Sequence, residues 1–326
     1  MERFKIIKNY RAKVHKIIKD QKLTPYQDID KLIDPTHHTV GIFCSNFKND
    51  KVLLRILITS DKKKNNSFIK EFMIYNFFKR HRNLFNKLPL LIKGSIDKQP
   101  KWMIRKFYPG QMTGDFWGFD KEKLTPSLTK LLIEYILKLQ SKSNEWSKKN
   151  KLPKRAANWF IKDWKNDLDY NPDFVYSVFI NKYLNLRERK KLDLIFKNYK
   201  DLLNKNCHFF THGDLMPQNI LIDQNKKIFF IDWEEAHLNN PLFDTSYIYV
   251  NAWQDKSWRE KFLKKFIKLH PERDKKILSK LAQLNILVIS LRMAEYAHLN
   301  LVHQKILIKR ALREHLKTIK SILKNI

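Results

Sequence analysis

The stretch from Thr211 to Glu235 constrains this chain more than any other. Residues 219–223 and 227–232 read as two short apolar strands around the polar turn Asp223-Gln224-Asn225-Lys226. They form a β island in a part of the sequence otherwise patterned for helices. The island is entered through Thr211-His212-Gly213-Asp214-Leu215-Met216-Pro217-Gln218-Asn219 and left through Ile231-Asp232-Trp233-Glu234. Segments entering and leaving a tight hairpin lie side by side, so Asp214, Asn219 and Asp232 can converge although 18 positions separate the outer two. Any fold for this chain must hold that hairpin among helices.

Two carboxylates and a carboxamide so placed are what phosphoryl transfer needs. One carboxylate orients an attacking hydroxyl and accepts its proton, and hard oxygen ligands hold Mg²⁺ against nucleotide phosphates. Asp214 is the candidate base, and Asn219 and Asp232 the candidate metal ligands. The spacing repeats the catalytic loop H-R-D-L-x-x-x-N, with Gly213 in the arginine position and Trp233-Glu234 where Phe-Gly would follow the metal aspartate. A lone His-Gly-Asp fits any turn. Joined to the spaced Asn, the hairpin and the second Asp, it becomes specific.

These residues resemble the aminoglycoside phosphotransferase and choline kinase superfamily, a phosphotransferase enzyme family with a protein-kinase-like fold. Its members carry HGD or HND, an Asn five residues on, and ID[FW] about a dozen residues later. Pro241-Leu242-Phe243-Asp244 continues the pattern, and the similarity is greatest to members with Asp-Trp-Glu. The resemblance spans roughly residues 40–253. It implies an α+β, two-lobe fold, with a small antiparallel-sheet N-lobe over 1–107 and a mostly helical C-lobe over 108–326 carrying the catalytic loop and substrate site. It also implies ATP and Mg²⁺ as cofactors and transfer of the γ-phosphate to a hydroxyl of an amino alcohol, aminoglycoside or sugar-like substrate. His212 would position the loop, and Asp244 would brace its backbone by accepting N–H bonds.

The N-terminal part is patterned as strands 40–45 and 51–59 around the turn 46–50, then a helix over 67–82 with Ser67 as N-cap. A strand pair, 90–94 and 101–107, ends at Tyr108-Pro109-Gly110, the expected boundary. Arg55 on its strand and Glu71 on the helix fill the places of the cation and carboxylate that hold nucleotide phosphates in kinase folds. An ordinary strand-helix ion pair is the competing reading. Backbone groups near Lys106 and Phe107 are expected to read adenine at the inter-lobe hinge, unless this is simply an apolar strand ending at a turn. Pro35-Thr36-His37-His38-Thr39, which should cover the phosphates, has no glycine; Thr36 and Thr39 offer hydroxyls, and His37 and His38 read as surface-turn residues. With only 6 glycines and neither G-x-G-x-x-G nor a P-loop, Rossmann and P-loop readings have no support.

Helices are expected over 126–146, 156–168, 174–183 and 186–203, with three more between 257 and 323. For the acceptor, Glu234, Glu235 and Trp253 are candidates for a cage around a cationic alcohol or amino sugar, with Trp159, Trp164, Tyr247 and Glu295 beside them. Aromatics at helical spacing are also ordinary core. Choline kinases carry a carboxylate seven residues after the bracing aspartate, where this chain has Asn251. Gln140 stands where many relatives have Leu-His and has no functional account.

Charge frames the other reading. Lys+Arg number 65 against 33 Asp+Glu, a formal +32 that suits nucleic acid or an anionic membrane. The alternative function is therefore an inactive kinase-like or polyanion-binding protein. Yet 51 of the cations are lysine, whereas arginine is the preferred bidentate phosphate partner, and the abundance of Asn and Ile fits AT-rich codon usage. Cys44 and Cys207 have no C-x-x-C companion, which argues against zinc or a disulfide framework and for a reducing compartment. The basic N-terminal stretch 1–22 lacks an apolar signal region, and no window approaches the ~18 apolar residues of a spanning helix. Cytoplasm is the expected location, and no obligate protein partner is indicated.

Overall fold

Val40, Ile42 and Cys44, then Val52, Leu54 and Ile56, are buried at every second position, the period of a strand with one face on a core. The computed structural model describes residues 2–32, 39–59, 61–81, 90–145, 179–303 and 306–326. It places these side chains on β2 (Thr39–Ser45) and β3 (Lys51–Leu57). With β1 (Thr24–Pro25), β4 (Leu91–Ser95) and β5 (Trp102–Lys106) they make an antiparallel sheet in the order β1-β2-β3-β5-β4. Val14, Ile17 and Ile18 of α1 (Glu2–Asp20) and Ile29 of α2 (Ile29–Leu32) close the core on that face. Arg55 is out of phase with Leu54 and Ile56, so it meets Glu71 of α3 (Lys62–Arg80) instead.

Helix α3 begins five residues before the expected Ser67. Asp61 is its N-cap, accepting the Lys64 N–H at 2.8 Å. The first turn, Lys62 to Asn66, carries no apolar residue, so hydrophobic periodicity is blind to it until Phe68.

The chain divides into two compact units, residues 1–111 with 221–235 and residues 112–220 with 236–326. The expected break lay after 107 and kept the whole hairpin in the helical part. Apolar burial explains why 221–235 joins the first unit. Trp233, fully buried, sets its ring edge-on to Phe78 of α3 at 4.9 Å, and Phe229 stacks on Tyr108 at 4.6 Å.

In the second unit, α4 (Pro126–Gln140), α5 (Leu186–Lys205), α6 (Phe243–Asn251), α7 (Lys256–Leu269), α8 (Lys275–Leu299) and α9 (Ile306–Asn325) dominate. Their starts carry local signals: Thr125 caps α4, Asn185 and Glu188 form a capping box on α5, Asp255 caps α7 and Asp274 caps α8. Lys275–Val302 is, after all, long and apolar enough to cross a membrane by length and composition. Because 72% of its apolar window is buried inside the protein, α8 is a core helix. The helix expected over 156–168 with Trp159 and Trp164, most of that over 174–183, and Thr36, His37 and His38 of the phosphate-covering segment lie outside the described residues.

Candidate active site

In the second unit the chain leaves the strand Phe209–Thr211 and turns sharply at Gly213, whose φ of 85° is costly for any side chain. Asp244, at the start of α6 and fully buried, pins that turn. Its Oδ2 accepts the His212 N–H at 2.7 Å and its Oδ1 accepts the Gly213 N–H at 3.1 Å. The His212 ring faces back along the loop, Nδ1 accepting the Asp214 N–H at 3.4 Å. Asn219 closes the loop from the other end: its Nδ2 donates to the Asp214 carbonyl at 2.8 Å and to Asp214 Oδ2 at 3.1 Å. These bonds fix the amide nitrogen and do not consume Oδ1, the atom a cation would use. Thr113 supports the same loop, donating from Oγ1 to the Pro217 carbonyl at 2.9 Å.

Burial pushes the Asp244 carboxyl up to about 7 from its ordinary 3.8, although the His212 and Gly213 N–H groups pull it down. A carboxyl raised in this way favours the fold most below its ordinary value, and that contribution is lost as pH rises through about 7. Unfolding free energy from urea titrations should therefore carry a downward slope between pH ~4 and ~7 that flattens in Asp244→Asn. An identical slope in the variant would show that Asp244 titrates as an ordinary carboxyl.

In the first unit, Arg55 Nη1 donates to both Glu71 oxygens, at 2.6 and 2.5 Å, and lies 4.0 Å from Asp232 Oδ1. Burial works against the Arg55 charge, but Glu71 and then Asp232 outweigh it and hold the guanidinium ionised, its pKa raised above the ordinary value. Asp232 sits in the left-handed region, with φ of 64°, and its Oδ1 is buried without a hydrogen-bond partner. Two residues on, burial and the neighbouring Asp232 push Glu234 up to about 7. Glu234 thus stands in the charge cluster of Arg55, Glu71 and Asp232. Glu235, partly buried beside it on the same turn, also belongs to the first unit.

Two expectations change. The Lys106 N–H donates to the Leu90 carbonyl at 2.9 Å and the Phe107 N–H to the Lys51 carbonyl at 3.0 Å. Both donors are engaged by the sheet edges, so adenine cannot be read by those N–H groups. Trp253 is 6% exposed, donates its indole N–H to the Trp117 carbonyl at 2.7 Å, and has Arg310 over its ring at 5.7 Å. A protein cation already occupies that aromatic face, which removes the reason for placing a substrate cation there.

Other residues were not legible as site residues. Arg292 on α8 donates to the Tyr247 hydroxyl at 3.2 Å. Tyr247 first, then Tyr296 and Asp214, hold its guanidinium charged against burial. Its signal was an arginine inside the apolar run from Leu281 to Ala294. Asn240 and Asn285 exchange side-chain bonds at 3.0 and 2.8 Å and fasten the chain just before Asp244 to α8. Gln140, buried, donates to the Pro241 carbonyl at 2.7 Å and meets His270 at 3.2 Å, a staple for the same segment. Asn251 is fully buried and donates to the Tyr247 carbonyl at 2.9 Å.

The loop turning on Gly213 and its carboxylate brace thus lie in the second unit, and the Arg55–Glu71 pair in the first. Residues 129–275, which contain Asp214, Asn219, Asp232 and Asp244, match the model of the phosphotransferase enzyme family. The chain is similar to protein LicA of Haemophilus influenzae, 36% identical where the two align. That alignment covers 26% of this chain and 29% of LicA, less than a third of the relative's length. Among solved structures, the amicoumacin kinase hAmiN in complex with AMP-PNP, Ca²⁺ and Ami superposes with a TM-score of 0.58 at 13% identity, covering 92% of this chain and 88% of that one. The ADP-bound aminoglycoside phosphotransferase APH(2'')-Ib gives 0.55 at 14% identity, covering 94% and 98%. The fold is that of the kinase-like small-molecule phosphotransferases, α+β with an antiparallel-sheet N-terminal region and a mostly helical remainder. Within it, residues 129–275 are similar to the phosphotransferase enzyme family.

Proposed function

We propose that this chain is an ATP- and Mg²⁺-dependent small-molecule kinase that transfers the γ-phosphate to a hydroxyl of an amino alcohol, aminoglycoside or sugar-like substrate. The loop around Asp214 carries the reading. Asp244 holds its backbone from below and Asn219 holds its carboxylate from the side, so a half-buried Asp214 is presented in one orientation. Such preorganisation serves a base that must meet a hydroxyl proton in one geometry. Arg55, kept charged by Glu71, is the cation for the nucleotide phosphates. Asp232 Oδ1, buried with no hydrogen-bond partner, suits a hard divalent ion, and Asn219 Oδ1 is the matching neutral ligand. Bound Mg²⁺ would neutralise the phosphate oxygens.

Arg292 lies within electrostatic reach of Asp214 and would meet the acceptor bound there. The experiment is an ATP-consumption screen over amino alcohols, aminoglycosides, simple sugars and sugar phosphates, with Asp214→Asn as blank. Turnover is expected with at least one hydroxyl-bearing class and only in the presence of Mg²⁺ or Mn²⁺. Equal turnover in excess chelator would refute the metal assignment. If no class is consumed while the protein binds RNA or anionic vesicles with a steep salt dependence, the polyanion reading replaces the kinase one.

A further inference from the structure

A half-open cleft lies among the helices of the second unit. Helices α6, α7, α8 and α9 surround about 620 Å³, within the range of small-molecule sites. On α7 its wall is Lys256, Arg259, Glu260, Leu263, Lys264 and Ile267, positions one helical turn apart and so on one face. Arg259 is central to that face. It is 7% exposed, its guanidinium lies over the Tyr249 ring at 4.8 Å, and its Nε is buried without a hydrogen-bond partner. Among the described residues it forms no ion pair.

Of the two carboxylates in the wall, Glu314 is paired with a lysine and Glu260 keeps its charge while bonded to a neutral hydroxyl. Glu260 accepts the Tyr249 hydroxyl at 2.5 Å, and Glu314 accepts Lys317 at 2.7 Å. His315, fully buried behind them, is pushed down to about 3 by burial and by the Arg259 charge, so it adds no charge of its own. A buried cation without a partner is costly, and here the two flanking lysines raise the cost further. The opposite side of the cavity supplies Ala282 and Ile286 of α8, with Leu263 and Ile267 continuing the apolar surface.

We propose that this cavity is a ligand site for a small phosphomonoester. The phosphate is held by Arg259 with Lys256 and Lys264, and the organic body lies against Leu263, Ile267, Ala282 and Ile286. A dianion matches three cations that Glu260 offsets only in part better than a carboxylate does, and the guanidinium fork fits two phosphate oxygens at once. The site does not depend on the kinase reading, because none of its residues belongs to the loop around Asp214 or to the Arg55 cluster.

Calorimetric titration of the full chain with phenyl phosphate, inorganic phosphate, benzoate and phenol tests it. Phenyl phosphate should bind most tightly, phenol not at all, and affinity should fall with salt. Arg259→Gln should weaken phenyl phosphate at least ~10-fold. Lys256→Ala with Lys264→Ala, both exposed and harmless to the fold, should weaken it several-fold. Should Arg259→Gln fail to fold, the double lysine variant decides alone. Absence of saturable binding, equal affinity for benzoate and phenyl phosphate, or wild-type affinity in the folded variants would overturn the proposal.

Discussion

Asp214→Asn is expected to transfer phosphate at least ~100-fold more slowly than the wild type while keeping its fold and its nucleotide affinity. The amide has the shape of the carboxylate but cannot accept the hydroxyl proton. The loop survives because Asn219 still donates to the residue-214 carbonyl, at 2.8 Å in the parent, and Asp244 still holds the two preceding N–H groups. The loss should appear in kcat, with KM for ATP little changed, because the proposed role sets Asp214 against the acceptor and not the nucleotide. Asp232→Ala behaves differently: it removes the buried Oδ1 next to Arg55, so metal-nucleotide affinity falls along with rate. Steady-state kinetics of the two variants, with ATP and the acceptor found by screening, separate the roles. An Asp214→Asn enzyme within threefold of the wild type in kcat would eliminate Asp214 as the base.

Arg55→Met destabilises the protein by about 3–5 kcal/mol, because it leaves Glu71, fully buried, without its cation. Burial pushes the Glu71 carboxyl up, and Arg55 is the first group opposing that shift. Adding Glu71→Gln to Arg55→Met should recover part of the loss, since the uncompensated charge is gone. Arg55→Lys should fall between, keeping the charge but not the reach and fixed plane that set Nη1 against both oxygens. Urea unfolding of the four proteins reads this directly. A loss below about 1 kcal/mol for Arg55→Met would place the pair among ordinary surface ion pairs.

Much of the fold is written locally. Period-two burial predicts β2 and β3, the polar turn between them predicts their hairpin, and the capping residues Thr125, Asn185, Asp255 and Asp274 mark helix starts within a residue or two of an apolar period. Where a helix begins in solvent, as α3 does over Lys62 to Asn66, the apolar signal arrives late and the start is misread. The site was legible for the same kind of reason. His212, Gly213, Asp214 and Asn219 occupy eight consecutive positions, and a turn that needs φ of 85° at a glycine leaves its mark on a short string. That the N–H groups of Lys106 and Phe107 and the indole of Trp253 are engaged was not legible, because it depends on partners far along the chain. Leu90 and Lys51 take the two N–H groups, and Trp117 and Arg310 take the indole.

The sequence by itself determined the strand and helix periods, the tight turn before Asp214 and the order in which its acids and amides follow one another, because each is set by steric and hydrogen-bonding preferences within a few residues. Tertiary structure alone decided that residues 221–235 join the first unit through Trp233 and Phe229, that Arg292 comes within electrostatic reach of Asp214, and that Arg259 is buried without a counter-ion. Those outcomes depend on which distant surfaces exclude water from one another. Hydrophobic burial is proportional to area and indifferent to sequence distance, so no local pattern carries it.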